Sequence, residues 1–165
     1  MKKKIIILIA SLATLIILAG IVFGTDIIVK TSNQDFKQDP EFYKALGNHF
    51  AEQGDYENAI IAYETCLLLG EDQDVRNNLA VLYYKQARYT QAIYHLRKLI
   101  ITEPDNPSYH YDLAINLVDR FRNTEEPDIN DLAEALAEYK QVEELEPGYA
   151  YAKENIEVLK RILEQ

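Results

Sequence analysis

Three stretches of the chain decide its fold: YKALGNHF at residues 43–50, RNNLAVLY at 76–83 and HYDLAINL at 110–117. Each carries an aromatic or long side chain, then leucine and a small residue three and four positions later, then an aromatic or leucine three further on. In residue terms these are Tyr43, Leu46-Gly47 and Phe50; Arg76, Leu79-Ala80 and Tyr83; and His110, Leu113-Ala114 and Leu117. Spacings of three and four place such residues on one face of a helix. After each stretch comes an alanine with an aromatic or leucine four positions on: Ala59 and Tyr63, Ala92 and Leu96, Ala135 and Tyr139. Pro104 and Pro147 stand eight residues past the second and third of these pairs, where a helix cannot continue.

The intervals between the stretches are regular. Leu46 to Leu79 is 33 residues and Leu79 to Leu113 is 34. A fixed period of this length is the mark of stacked supersecondary units. The third unit is longer: Leu113 to Ala135 is 22 residues where the two earlier intervals are 13, nine in excess. The run from Arg120 to Asp128 lacks periodicity and contains Pro127, so the excess is predicted to form an exposed loop near residues 120–130.

These residues resemble the tetratricopeptide repeat family, whose unit is a helix-turn-helix with a W-x₂-L-G-x₂-Y, A-x₃-F, P pattern. The resemblance covers residues 40–165. It implies an all-α fold: an α-solenoid of three helix-turn-helix units, about 40–72, 73–106 and 107–149, closed by a capping helix at 149–165. Seven helices in a short right-handed superhelix are expected. Small residues at Gly47, Ala80, Ala114, Ala59, Ala92 and Ala135 let paired helices approach closely. Because one repeat cannot bury its own apolar face, neighbours must stack and the last face needs a cap with a polar back.

The amino end reads differently. After Lys2, Lys3 and Lys4, residues 5–24 carry no charge; twenty helical residues span about 30 Å, one hydrocarbon core. A single N-terminal transmembrane helix is predicted at 1–24, with a cleaved export signal as the alternative. The three lysines preceding the span favour a cytoplasmic amino terminus, with the remainder outside the plasma (inner) membrane. Residues 25–39 are polar and unpatterned, a tether ending at Asp39-Pro40, an N-cap followed by proline at the first helical position.

Charge and composition exclude several functions. The chain carries −10 overall, and residues 31–165, with 13 Lys/Arg and 26 Asp/Glu, carry about −13. No basic stripe is available for a nucleic acid partner. One cysteine excludes an internal disulfide, and no Cys/His cluster suits zinc. Asp119, Glu125, Glu126, Asp128 and Asp131 lack the calcium-loop spacing. Histidines 49, 95 and 110 are scattered and no nucleophile, metal or phosphate motif occurs, so no enzyme, cofactor or metal is expected.

What the family resemblance implies instead is a concave surface. Its repeats line an inner groove with their first helices, where extended peptides lie. Carried onto this chain, the groove comprises Lys44, Asn48, Asn78, Val81, Lys85, Tyr111, Asp112, Ile115 and, from the cap, Tyr151. Lys44, Asn48 and Asn78 resemble the first part of a carboxylate clamp used by co-chaperones. Its basic pair in the third repeat is replaced by Ser108 and Asp112, and Asp112 would repel a terminal carboxylate. Asn48 and Asn78 are therefore candidates for holding peptide backbone, and the expected partner is a protein segment that is partly apolar and basic or neutral. The function expected is a membrane-tethered protein-interaction module, as in envelope assembly, secretion or chaperone-like complexes. The alternative is a self-associating scaffold, a homo-oligomer or a chain whose groove is filled by its own tether.

Overall fold

The computed structural model of the protein describes residues 39–164. The expected anchor at 1–24, and the tether up to residue 38, lie outside the described residues. Seven helices follow one another: α1 Pro40–Glu52, α2 Tyr56–Leu69, α3 Gln73–Lys85, α4 Tyr89–Thr102, α5 Pro107–Asn123, α6 Ile129–Leu145 and α7 Ala152–Leu163. Each packs mainly on the helices before and after it, giving the expected solenoid of three hairpins and a cap. No described helix is long and apolar enough to cross a membrane.

The helix starts are written locally. Asp39, Asp55, Asp72, Asn106 and Asp128 each accept a hydrogen bond from a backbone amide in the first turn of the helix that follows. Such caps satisfy amides that have no partner within the helix. Pro40 and Pro107 occupy the first helical positions, where a missing N–H costs nothing. In the two shorter hairpins the chain reverses through the left-handed backbone region, with Gly54 at φ 77° and Ala87, 33 residues on, at φ 56°.

The core follows the repeat register. Ala59, Ile60, Tyr63, Cys66, Val75, Leu79, Leu82, Tyr83 and Ala92 form one cluster between the first and second hairpins. Ala80, Ile93, Leu96 and Leu99 turn the other way, into a second cluster with Leu113, Leu117, Leu132, Tyr139, Ile156 and Leu159. The middle hairpin is thus covered on both sides, as stacking requires. Gly47 explains its place: a Cβ there would fall 2.9 Å from Tyr63 Cγ and nearer still to Cδ1 and Cε1. Only the bare backbone lets the Tyr63 ring approach α1 this closely.

The nine excess residues are not a loop. Relative to the second hairpin, α5 is four residues longer at its end, α6 three longer at its start, and the connection 124–128 two longer. The hairpin has simply gained about one turn on each helix. Arg120, in the added turn of α5, donates from Nε and Nη2 to Asp131 in the added turn of α6, at 2.8 and 2.6 Å. Asp131 is 5 % exposed. The planar fork meeting a carboxylate joins the two added turns alongside the apolar contacts of Phe121 and Leu132. Asp128 caps α6. The expectation of an extended loop at 120–130 is corrected accordingly.

Candidate functional site

The odd-numbered helices line one continuous groove made of three adjoining hollows. The first, about 250 Å³, is bordered by Asn48, Glu52, Tyr63, Asn78, Val81 and Lys85. The second, about 110 Å³, lies between α3 and α5 and shares Val81; it adds Tyr84, Asp112, Ile115 and Asn116. The third, about 260 Å³, shares Ile115 and continues through Tyr111, Asp119 and Arg122 to Tyr151 and Asn155. Eight of the nine residues expected in the groove therefore come together: Asn48, Asn78, Val81, Lys85, Tyr111, Asp112, Ile115 and Tyr151.

Lys44 does not join them. Its Nζ lies 2.7 Å from Asp72 Oδ2 and 3.1 Å from Asp74 Oδ2, at the cap of α3. Hydrogen bonds donated by Lys44 to these two aspartates push its pKa above the ordinary lysine value, so the charge is spent on joining α1 to α3. The likeness of Lys44 to a clamp residue fails for that reason.

Asn48 and Asn78 are joined through Tyr63, an aromatic of the first repeat's second helix. The Tyr63 hydroxyl donates to Asn48 Oδ1 at 2.6 Å and accepts from Asn78 Nδ2 at 3.3 Å. Its ring is buried and its oxygen stands in the groove wall between the first two repeats. This fixes how both amides face: among the described residues, Asn48 Nδ2 has no acceptor and Asn78 Oδ1 no donor. One free donor and one free acceptor match the backbone C=O and N–H of an extended chain.

The groove also holds Tyr84, Asp119 and Arg122, which the sequence reading did not place there. Tyr84 donates to Asp119 Oδ2 at 2.9 Å, joining α3 to α5; burial, then this carboxylate, pushes its phenol up to about 12. Arg122 lies 4.0 Å from the other Asp119 oxygen. Tyr111 stands edge-on to Tyr139 and Tyr149, and Tyr151 is 70 % exposed at the far rim. Lys85 reaches over the Tyr56 ring at 5.3 Å. No local signal pairs Tyr84 with Asp119, which stand 35 residues apart, one position off the repeat register.

The sequence profile of tetratricopeptide repeats matches residues 50–116. A comparison with curated proteins gives no match. Among solved structures, the first tetratricopeptide domain of Spaghetti (RPAP3) bound to the HSP90 peptide SRMEEVD is 19 % identical, with TM-score 0.61 over 78 % of this chain and 96 % of that one. YrrB, described as a tetratricopeptide protein with an unusual peptide-binding site, is 22 % identical, with TM-score 0.65 over 77 % of this chain and 61 % of its own. The second such domain of human RPAP3, in complex with the HSP70 peptide SGPTIEEVD, is 21 % identical, with TM-score 0.58 over 74 % of this chain and 98 % of that one. Residues 50–116 thus match the tetratricopeptide profile, and helices α1 to α7 share the fold of solved tetratricopeptide-repeat solenoids.

Proposed function

We propose that the protein is an interaction module that holds an extended protein segment in the groove of α1, α3, α5 and α7. The observation that carries this reading is the Asn48–Tyr63–Asn78 chain, which leaves one amide donor and one amide acceptor facing a continuous trough. Two of the similar structures hold peptides, both ending in Glu-Glu-Val-Asp. This groove is suited to a different segment. Its ionisable lining includes Glu52, Asp112 and Asp119 against Lys85 and Arg122, and Lys44 is already neutralised. An acidic terminus would meet net negative charge there, whereas a neutral or basic segment with apolar side chains would not.

Residues 5–24 extend the proposal: twenty uncharged residues behind three lysines support tethering at the plasma membrane with the solenoid on the far side. Tethering raises the effective concentration of solenoid and partner at the bilayer without any new contact. No catalytic step is assigned to the protein itself.

The test is selection of extended octapeptides on the full chain in detergent micelles. The double variant Asn48→Ala/Asn78→Ala is expected to lose about tenfold or more in affinity, since each amide contributes one backbone hydrogen bond of about 1 kcal/mol. Because the Tyr63 hydroxyl loses both partners, at about 1 kcal/mol each, the variant's thermal midpoint should also fall, and affinities are compared at a temperature where both proteins are fully folded. Undiminished affinity in the double variant would refute the assigned role of the two asparagines.

A further inference from the structure

One carboxylate in the middle of the groove is left without a partner. Asp112 lies half-buried on α5 and borders the central hollow together with Val81, Tyr84, Ile115 and Asn116. Among the described residues its side chain makes no hydrogen bond and no ion pair. Asn116, one turn further along the helix, donates from Nδ2 to the Asp112 carbonyl at 2.8 Å and leaves its Oδ1 sealed from water without a donor. Asn116 is 4 % exposed. Asp119 provides the contrast, having both the Tyr84 hydroxyl and the Arg122 guanidinium beside it. Burial pushes the Asp112 carboxyl above the ordinary carboxylate range, and nothing opposes it.

Buried polar groups are almost always hydrogen-bonded, because losing water without a replacement costs free energy. Here the Asp112 carboxylate borders the hollow with no donor, the sealed Asn116 oxygen behind it offers none, and the remaining walls are the apolar Ala80, Val81, Leu96 and Ile115 and the Tyr84 side chain. The missing component is a positively charged donor on a flexible apolar stem. We propose that the central hollow is a specificity pocket for one lysine or arginine side chain of the captured segment, its cationic head held by Asp112 and its methylenes laid on Val81, Ile115 and Tyr84. Such a side chain buries its stem while its head finds a counter-charge. The inference rests on the groove being a peptide site and adds what that site selects.

The full chain in detergent micelles is screened with a positional library of acetylated octapeptides, one position at a time fixed as Arg, Lys, Gln, Glu or Leu. One position should prefer Arg or Lys over Gln by about tenfold or more, in line with a charged hydrogen bond. Asp112→Asn, which keeps the side-chain shape, should abolish that preference and retain the binding that depends on Asn48 and Asn78. Asp112→Arg should turn the preference toward Glu. Peptide binding through Asn48 and Asn78 with no basic preference, or a preference unchanged in Asp112→Asn, overturns the pocket and leaves the groove standing. Absence of binding by every octapeptide overturns the groove and the pocket together.

Discussion

Replacing Gly47 by alanine puts the packing of the first hairpin to a test of sign. In an ordinary helix interior this change stabilises by about 0.8–1 kcal/mol, since glycine has more backbone freedom to lose on folding. At Gly47 the new methyl would stand 2.9 Å from Tyr63 Cγ and closer to two further ring atoms. Tyr63 is 2 % exposed and held at its hydroxyl by Asn48 and Asn78, so the ring has nowhere to swing. Either α1 and α2 separate, at an overpacking cost of about 1–3 kcal/mol, or the ring shifts and gives up hydrogen bonds of about 1 kcal/mol each. The middle of the overpacking range, or the loss of both hydrogen bonds, outweighs the gain in helix propensity, and the net expectation is a loss of about 1 kcal/mol. Urea unfolding followed by circular dichroism reads this as a lower midpoint at constant slope. The same change in a Tyr63→Leu background should lose most of its cost, a coupling above about 1 kcal/mol between the two sites. A Gly47→Ala protein as stable as the parent, or more so, would refute the close approach of ring and backbone.

Two further outcomes are expected. Arg120→Met strands the buried Asp131 carboxylate and should destabilise by about 3 kcal/mol, whereas Arg120→Met combined with Asp131→Leu should cost much less; urea midpoints of both variants check this. His95, 7 % exposed and stacked on Tyr83, has its pKa lowered from 6.5 to about 4 by burial and then by the Arg76 charge, with Glu71 opposing weakly. The unfolded chain therefore takes up the proton first, and stability should fall as pH drops from about 6.5 to 4, by up to about 3 kcal/mol. His95→Phe should flatten that slope, measured as urea midpoints at pH 7 and pH 4.5; an unchanged slope would place the acid sensitivity elsewhere.

Much of the architecture was legible because repeats are written in short-range code. Gly47, Ala80 and Ala114 recur at the period of the stack, and Asp39-Pro40 and Asn106-Pro107 announce helix starts by local hydrogen bonding. The groove was legible through the resemblance to the tetratricopeptide family, which implies that the first helix of each repeat faces the hollow; the residues so carried over, from Asn48 to Ile115, line it.

The sequence alone determined the register, the helix pairing and the inward face, since these depend on spacings of three, four and thirty-four residues. Tertiary structure decided the use of each polar side chain. Lys44 looked available until Asp72, 28 residues away, was brought beside it. Tyr63 read as core until its hydroxyl emerged between two asparagines, and the polar run from Arg120 read as loop until Asp131 was placed across from it. Charges and hydrogen bonds act over a few ångströms between residues distant in the chain, so only the folded solenoid settles which are satisfied and which, like Asp112, remain open.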